Sequence, residues 1–200
     1  MGNDKTGHDV RHAHRVLDHA KAIMQEVGGD GPYVVGCCLL HDCLDEKLGL
    51  STPAQEEKIL QILLQNGYEE EKAKMMIHSM KRMSFHLHDD QNLSLEDKII
   101  RDADRLDALG MIGVERALAY GEAIGRPFFN DDDRADIRAG KAPHSLSTVS
   151  HFFEKLLRLD EGMHFPISKA LATKRKEEMV AYLEKRYQEE GLPFDRKLLP

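Results

Sequence analysis

The sequence predicts an all-α fold. Three observations carry that expectation. Apolar residues recur at helical spacing in successive stretches, helix-start and helix-stop residues bracket those stretches, and no segment sustains the period-two alternation of a strand. The first helix is expected from about Asp9 to Val27, with Val16, Ala20, Ile23 and Val27 on one face and Gly28-Gly29 as its stop. His12 lies four residues before Val16 and shares that inward face. Pro32 opens a second helix carrying Val34-Val35-Gly36-Cys37-Cys38-Leu39-Leu40, a run apolar enough to be interior, which ends around His41-Asp42.

Ser51-Thr52-Pro53 is a helix start, a capping hydroxyl followed by proline in the first turn. That helix runs through Ile59, Leu60, Leu63 and Leu64 to Asn66-Gly67. The next, Glu69 to about Met83, has acids early and basic residues late, matching the helix dipole, and turns Met76, Ile77, Met80 and Met83 inward. Phe85 to Asn92 is polar, His-rich and looplike. Ser94 with Asp97 resembles a capping box and begins a long helix through Ile99, Ile100, Ala103 and Leu106 to about Tyr120. Gly125 to Lys141, with Asp131-Asp132-Asp133, reads as a surface loop or lid extending to about residue 145. Two further helices, about Ser147–Leu159 and Ile167–Glu189, are expected to pack on the same core, making residues 1–200 a single domain.

Composition narrows the function classes. At 41% apolar and 32% charged the chain is globular in type. No apolar stretch approaches the ~20 residues that span a bilayer, and the N-terminus lacks a signal peptide's apolar core. Cys37, Cys38 and Cys43 form an odd, clustered set that is no disulfide framework, so a cytoplasmic setting is expected. A net charge of −7 argues against a nucleic-acid polymer as partner, though a small phosphorylated substrate can be held locally by a metal and a few cations. Neither a membrane partner nor an oligomeric state is indicated.

The chemistry gathers at the end of the apolar run. An imidazole and a carboxylate delivered side by side from the interior are costly to bury unless something pairs with them, and a divalent cation pairs with both. His8-Asp9 and His88-Asp89 repeat the dipeptide in polar surroundings, so the buried context of His41-Asp42 is what marks it. With His12 and Asp104, each on a core-bearing helix, the set is two imidazoles and two carboxylates, suited to Mn²⁺, Fe²⁺, Co²⁺, Ni²⁺ or Zn²⁺. Asp107, three residues after Asp104, shares its face and is placed to orient a ligand or water. Asp102 points elsewhere on the helix. A lone inward histidine is ordinarily a hydrogen-bonded core residue, and acidic stretches are ordinarily solvated or paired with Arg. The coincidence of four inward positions on separate elements favours the metal.

This pattern resembles the HD-domain metal-dependent phosphohydrolases, whose His, then His-Asp, then distant Asp fall on His12, His41-Asp42 and Asp104. The likeness is stronger to a stand-alone bacterial subgroup. It rests on Thr6-Gly7-His8-Asp9 leading to His12 and Arg15-Val16, on Leu40-His41-Asp42 with Asp45 and Lys47, and on His78 and Ser84-Phe85. It continues through Asp102-Ala103-Asp104-Arg105-Leu106-Asp107-Ala108, Gly125-Arg126-Pro127 and His151-Phe152-Phe153-Glu154-Lys155-Leu156-Leu157. Members of that subgroup often carry a helix ahead of the Thr-Gly-His-Asp segment. Some packing over the first helix is therefore expected to be missing here or supplied elsewhere.

The resemblance implies the HD helical bundle with a metal site at its centre, one divalent ion (Mg²⁺ among the candidates), and hydrolysis of a nucleotide or other small phosphate ester or anhydride. A nucleoside triphosphate pyrophosphohydrolase is the specific expectation. A bound divalent ion lowers the pKa of water toward neutrality and polarises a phosphoryl oxygen. Asp45 or Asp107 is then the candidate proton acceptor, with Lys47, Arg15 and Arg105 as candidates to neutralise phosphate charge. His78 is either a satisfied core histidine or a contact to substrate or a second metal. Cys43, beside acids that raise its pKa, reads as packing. The missing Gly-Tyr-Pro element makes cyclic-dinucleotide hydrolysis a poorer fit. Leu44-Asp45-Glu46 does not match the Glu-Asp pair expected of a guanosine tetraphosphate hydrolase. The alternatives from other classes are a di-iron oxygenase on the same fold, needing further His ligands, and a non-catalytic nucleotide- or metal-binding module.

Overall fold

Helices account for the regular structure of the computed structural model, which describes residues 10–44, 50–83 and 92–200; no strand occurs among the described residues. Contacts group the chain into two compact units, residues 10–104 and residues 105–200 in their described parts.

The first unit begins with α1 (Val10–Val27), whose His12, Ala13, Val16, Leu17, Ala20 and Ile23 are buried on one face. It packs on α2 (Gly31–Leu40). Asp30 caps α2 by accepting the Tyr33 N–H at 3.1 Å, and Pro32 lies in the first turn; such a cap contributes about 1 kcal/mol. Val34, Cys37 and Cys38 are fully buried. The α-helix stops at Leu40, and His41–Leu44 continue as a 3-10 turn, which swings the His-Asp pair out of the helical repeat.

Next come α3 (Pro53–Gln65), capped by the Thr52 hydroxyl, and α4 (Glu70–Arg82), with α4 packed on both α2 and α3. α5 (Leu95–Asp107) opens on a capping box in which Ser94 Oγ accepts the Asp97 N–H at 3.0 Å and Asp97 Oδ2 accepts the Ser94 N–H at 3.3 Å. Aspartate therefore serves where Glu is usual.

The long helix expected to reach Tyr120 is in fact two. α5 ends at Asp107, and α6 runs Gly110–Ala123. The break is local chemistry. Ala108 and Leu109 donate N–H bonds of the tighter i→i−3 kind, to Arg105 and Leu106, and Gly110 adopts φ +74°, a conformation a side chain resists. Gly113 completes it, since a Cβ there would lie 2.2 Å from the Ala108 carbonyl oxygen. Arg175 Nη1 donates to the same Leu106 carbonyl at 2.5 Å, a second donor beside the Leu109 N–H that ties α9 to the break.

The stretch expected to be a loop or lid holds a helix, α7 (Asp131–Arg138). Asn130 and Asp133 form a reciprocal capping box, so the three aspartates that read as a soft acidic run are the first turn of a helix, where the dipole favours them. Asp133 is fully buried, and its Oδ1 accepts hydroxyl bonds from Ser145 (2.6 Å) and Ser150 (2.9 Å). Burial pushes its carboxyl pKa up, but bonds from Ser145, Ser147, Ser150 and the Asn130 N–H leave it below the ordinary value. α8 (Thr148–Glu154), a 3-10 stretch (Leu156–Gly162) and α9 (Pro166–Glu189) complete the second unit, with α9 packed on α6 and on the 3-10 stretch. Phe152, Leu157, Met179, Val180 and Leu183 form its core. No described helix is long and apolar enough to cross a membrane.

Candidate metal centre

Four side chains meet inside the first unit. α1 supplies His12, 1% exposed; the 3-10 turn after α2 supplies His41 and Asp42; α5 supplies Asp104. His12 Nε2 lies 3.2 Å from His41 Nε2, 3.5 Å from Asp42 Oδ2 and 3.4 Å from Asp104 Oδ1. His41 Nε2 lies 3.3 Å from Asp42 Oδ1 and 3.8 Å from Asp104 Oδ1. The imidazole rings approach edge to face, 5.2 Å between centroids.

The arrangement can be tested against what an ion requires. Two ligand atoms about 2.0–2.1 Å from one ion stand roughly 3.0–3.4 Å apart in octahedral or tetrahedral geometry. Most of the observed separations fall in or near that range, and His12, His41 and Asp104 each offer a ligand atom within 4.8 Å of the others. The tautomer also fits. His41 Nδ1 donates to the Cys38 carbonyl oxygen at 2.8 Å, which leaves the Nε2 lone pair facing the cluster. The Asp104 side chain, 37% exposed against 1% for His12, marks the open side. These residues fit a divalent ion of the borderline class.

Cys38 therefore matters through its backbone, a role the sequence reading missed. The signal was available, because carbonyls in the last turn of a helix lack intrahelical partners and a histidine just beyond can donate to one. The cysteines themselves are free thiols. Burial, then the Asp104 carboxylate, pushes the Cys38 thiol up to about 12, and burial followed by Asp42 raises that of Cys43.

The remaining candidates are placed differently. Arg15 is half-buried on α1, one turn after His12. Asp45, Lys47, the Thr6–Asp9 segment, Ser84-Phe85 and His88-Asp89 lie outside the described residues. His78 is exposed on α4, where it lines a cleft of about 680 Å³ with Tyr33, Lys72, Ser79 and Ser94. Arg105 and Asp107 belong to the second unit. The Arg105 guanidinium donates to the Gly162 carbonyl, and the buried Asp107 carboxylate accepts from Arg116 Nη1 at 3.0 Å. Asp102, also on α5, is fully buried.

The fold and this cluster define a class, and sequence comparison assigns it. Residues 10–109 match the HD domain model, and the chain belongs to the HD domain family. Among its relatives is YpgQ of Bacillus subtilis, 32% identical over 186 residues that cover 92% of this chain and 84% of YpgQ. The crystal structure of YpgQ in complex with ADP superposes with a TM-score of 0.74 at 31% identity, covering 93% of this chain and 91% of that one. An HD-superfamily hydrolase from Bacillus thuringiensis gives 0.73 at 33% identity, covering 92% and 87%. The fold is that of the HD-superfamily hydrolases.

Proposed function

We propose that this protein is a divalent-metal-dependent phosphohydrolase that acts on a nucleotide or a related small phosphate ester or anhydride. The specific activity we assign is hydrolysis of a nucleoside triphosphate to monophosphate and pyrophosphate. The observation that carries the reading is the convergence of His12, His41 and Asp104, whose ligand atoms lie within 4.8 Å of one another, with the Asp42 carboxylate 3.5 Å from His12 Nε2 and 3.3 Å from His41 Nε2. The ADP complex of the similar YpgQ supports a nucleotide as substrate.

In this reading the four residues hold one ion, with Mn²⁺ the first to test. When bound, it supplies Lewis acidity toward a phosphoryl oxygen and acidifies water. Arg15, on the turn after His12, neutralises phosphate charge, and Lys47 does the same from the segment following Asp42. Asp45 accepts the proton of the attacking water. Asp107 was an alternative acceptor, but its ion pair with Arg116 gives its carboxylate a structural task. Arg105 is held at Gly162 and is a weaker candidate for phosphate than Arg15. His78 would meet substrate through the clefts it lines on either side of α4 residues Lys74 and His78.

The test is purified protein with Mn²⁺ against a panel of nucleoside tri- and diphosphates and monoesters, followed by release of phosphate and pyrophosphate. The wild type is expected to release pyrophosphate from at least one triphosphate, and His41→Ala to lose about a hundredfold or more of that activity. Release of neither product from any member of the panel would end this reading.

A further inference from the structure

We propose that the cleft between α4 and the starts of α2 and α5 is a binding site for a small organic cation bearing primary ammonium groups, of the aliphatic polyamine class. The cleft lies wholly within the first unit, and its residues are other than the metal ligands. Contacts between elements fix its walls. The Lys72 ammonium on α4 bonds Asp30 Oδ2 at 2.5 Å, and the Asp30 N–H donates to Glu96 Oε1 on α5 at 3.1 Å. The Tyr33 hydroxyl on α2 shares a hydrogen bond with Ser79 Oγ on α4 at 2.8 Å. At about 680 Å³ the cleft has the size of a small-molecule site.

Asp97 carries the inference. It lines the cleft, is 6% exposed, and spends Oδ2 on the Ser94 N–H of the capping box. Its Oδ1 is buried and has no hydrogen-bond partner among the described residues. A buried carboxylate oxygen without a donor is costly, and a ligand that brings the donor removes that cost. The surrounding charge selects the kind of donor. Asp30, Glu71, Glu96 and Asp97 share the cleft with Lys72 and Lys74. Lys72 is committed to Asp30, and Lys74 to Glu70 and Glu71 at 2.7 and 3.1 Å. Among the described residues no cation lies within ion-pair distance of Glu96 or Asp97. An ammonium is therefore favoured over a neutral donor, and a phosphate is opposed. A single metal ion fits less well. Among the described residues, the one group of three ligand atoms close enough to share an ion is His12, His41 and Asp104. The carboxylates of the cleft are spread along its wall instead, as ammonium groups are spread along a polyamine. Met75, 62% exposed on the same wall, offers apolar surface to the methylenes between them.

The experiment is calorimetric titration of spermidine into the full chain, freed of metal by chelator and dialysis. Salt at about 150 mM screens loose attraction to a chain of net charge −7. Wild type, His41→Ala and Glu115→Gln, the last at an exposed acid of the second unit, are expected to bind alike and saturably. Asp97→Asn keeps an oxygen for the Ser94 cap but removes the charge, and should weaken binding about tenfold or more. Met75→Lys, at an exposed position, sets a competing ammonium in the wall. It should weaken binding to a similar degree and keeps the test decisive should Asp97→Asn not fold. No saturable binding by the wild type would overturn the proposal, as would unchanged affinity in either folded variant. Displacement of spermidine from His41→Ala by equimolar Mg²⁺ would also overturn it, by making the site one for a metal ion. Each of these results leaves the phosphohydrolase reading to its own assay.

Discussion

His41 and His151 show how differently one side chain is set by its neighbours. In His41 the Nδ1–H is committed to the Cys38 carbonyl, so in the neutral ring the lone pair sits on the opposite nitrogen, facing the cluster. In His151, burial and two cations, Lys155 and Arg126, hold the ring neutral down to about pH 4, against an ordinary value of 6.5. Between those values the unfolded chain binds a proton that the native chain does not. Stability contributed by neutral His151 is therefore present above about pH 6.5 and lost as the pH falls toward 4. Discounted for the partial exposure of the ring, the effect is on the order of 1–2 kcal/mol. Urea midpoints at about pH 7 and about pH 4.5 should differ less in His151→Gln than in the wild type, and an unchanged difference would show the ring to be unimportant.

At the scale of elements, the junction of α5 and α6 makes a sharp prediction. Gly113→Ala drives a Cβ to 2.2 Å from a backbone carbonyl that has no flexible end to yield. The expected cost is about 1–3 kcal/mol, read as a lowered unfolding midpoint. Gly110→Ala meets its φ of +74° and should cost about 1 kcal/mol. The same junction shows what was legible beforehand. Helices that begin on Thr52-Pro53 or Pro32, or end at Asn66-Gly67, announce themselves by local side-chain chemistry. The break at Ala108–Gly110 sits inside an unbroken apolar period and turns on one backbone conformation. The helix α7 was hidden for the opposite reason. It is polar, and its anchor is the tertiary bonding of Asp133 to Ser145 and Ser150, residues 12 and 17 positions away. Of the candidate site, residue types and inward faces were readable. The ion pair of Asp107 with Arg116 was not, because it depends on where the chain bends between α5 and α6.

On the scale of the whole molecule, the residues matched by the HD model, 10–109, nearly coincide with the first compact unit, and all four candidate ligands lie inside it. An ion bound there ties together α1, the turn after α2, and α5, so it should act as a staple on that unit. At a hundred times its dissociation constant, a ligand specific to the native state adds about 2.7 kcal/mol, or roughly 5–10 °C in melting midpoint for a chain of this size. Scanning with Mn²⁺ should show that rise in the wild type, its reversal by chelator, and no rise in His41→Ala. Equal shifts in both proteins would place the ion elsewhere.

The backbone bonds that tie Pro127 and Phe128 to the start of α8 have a consequence on another clock. First-turn amides of a helix have no carbonyl partner within it and are usually among the quickest to trade hydrogen for deuterium. Here Thr148 and Val149 give theirs to Pro127 and Phe128. Their exchange should be slow, and it should accelerate only in opening events that also release the segment from Arg126 to Phe129. Two stretches about twenty residues apart in sequence would then label as one cooperative unit.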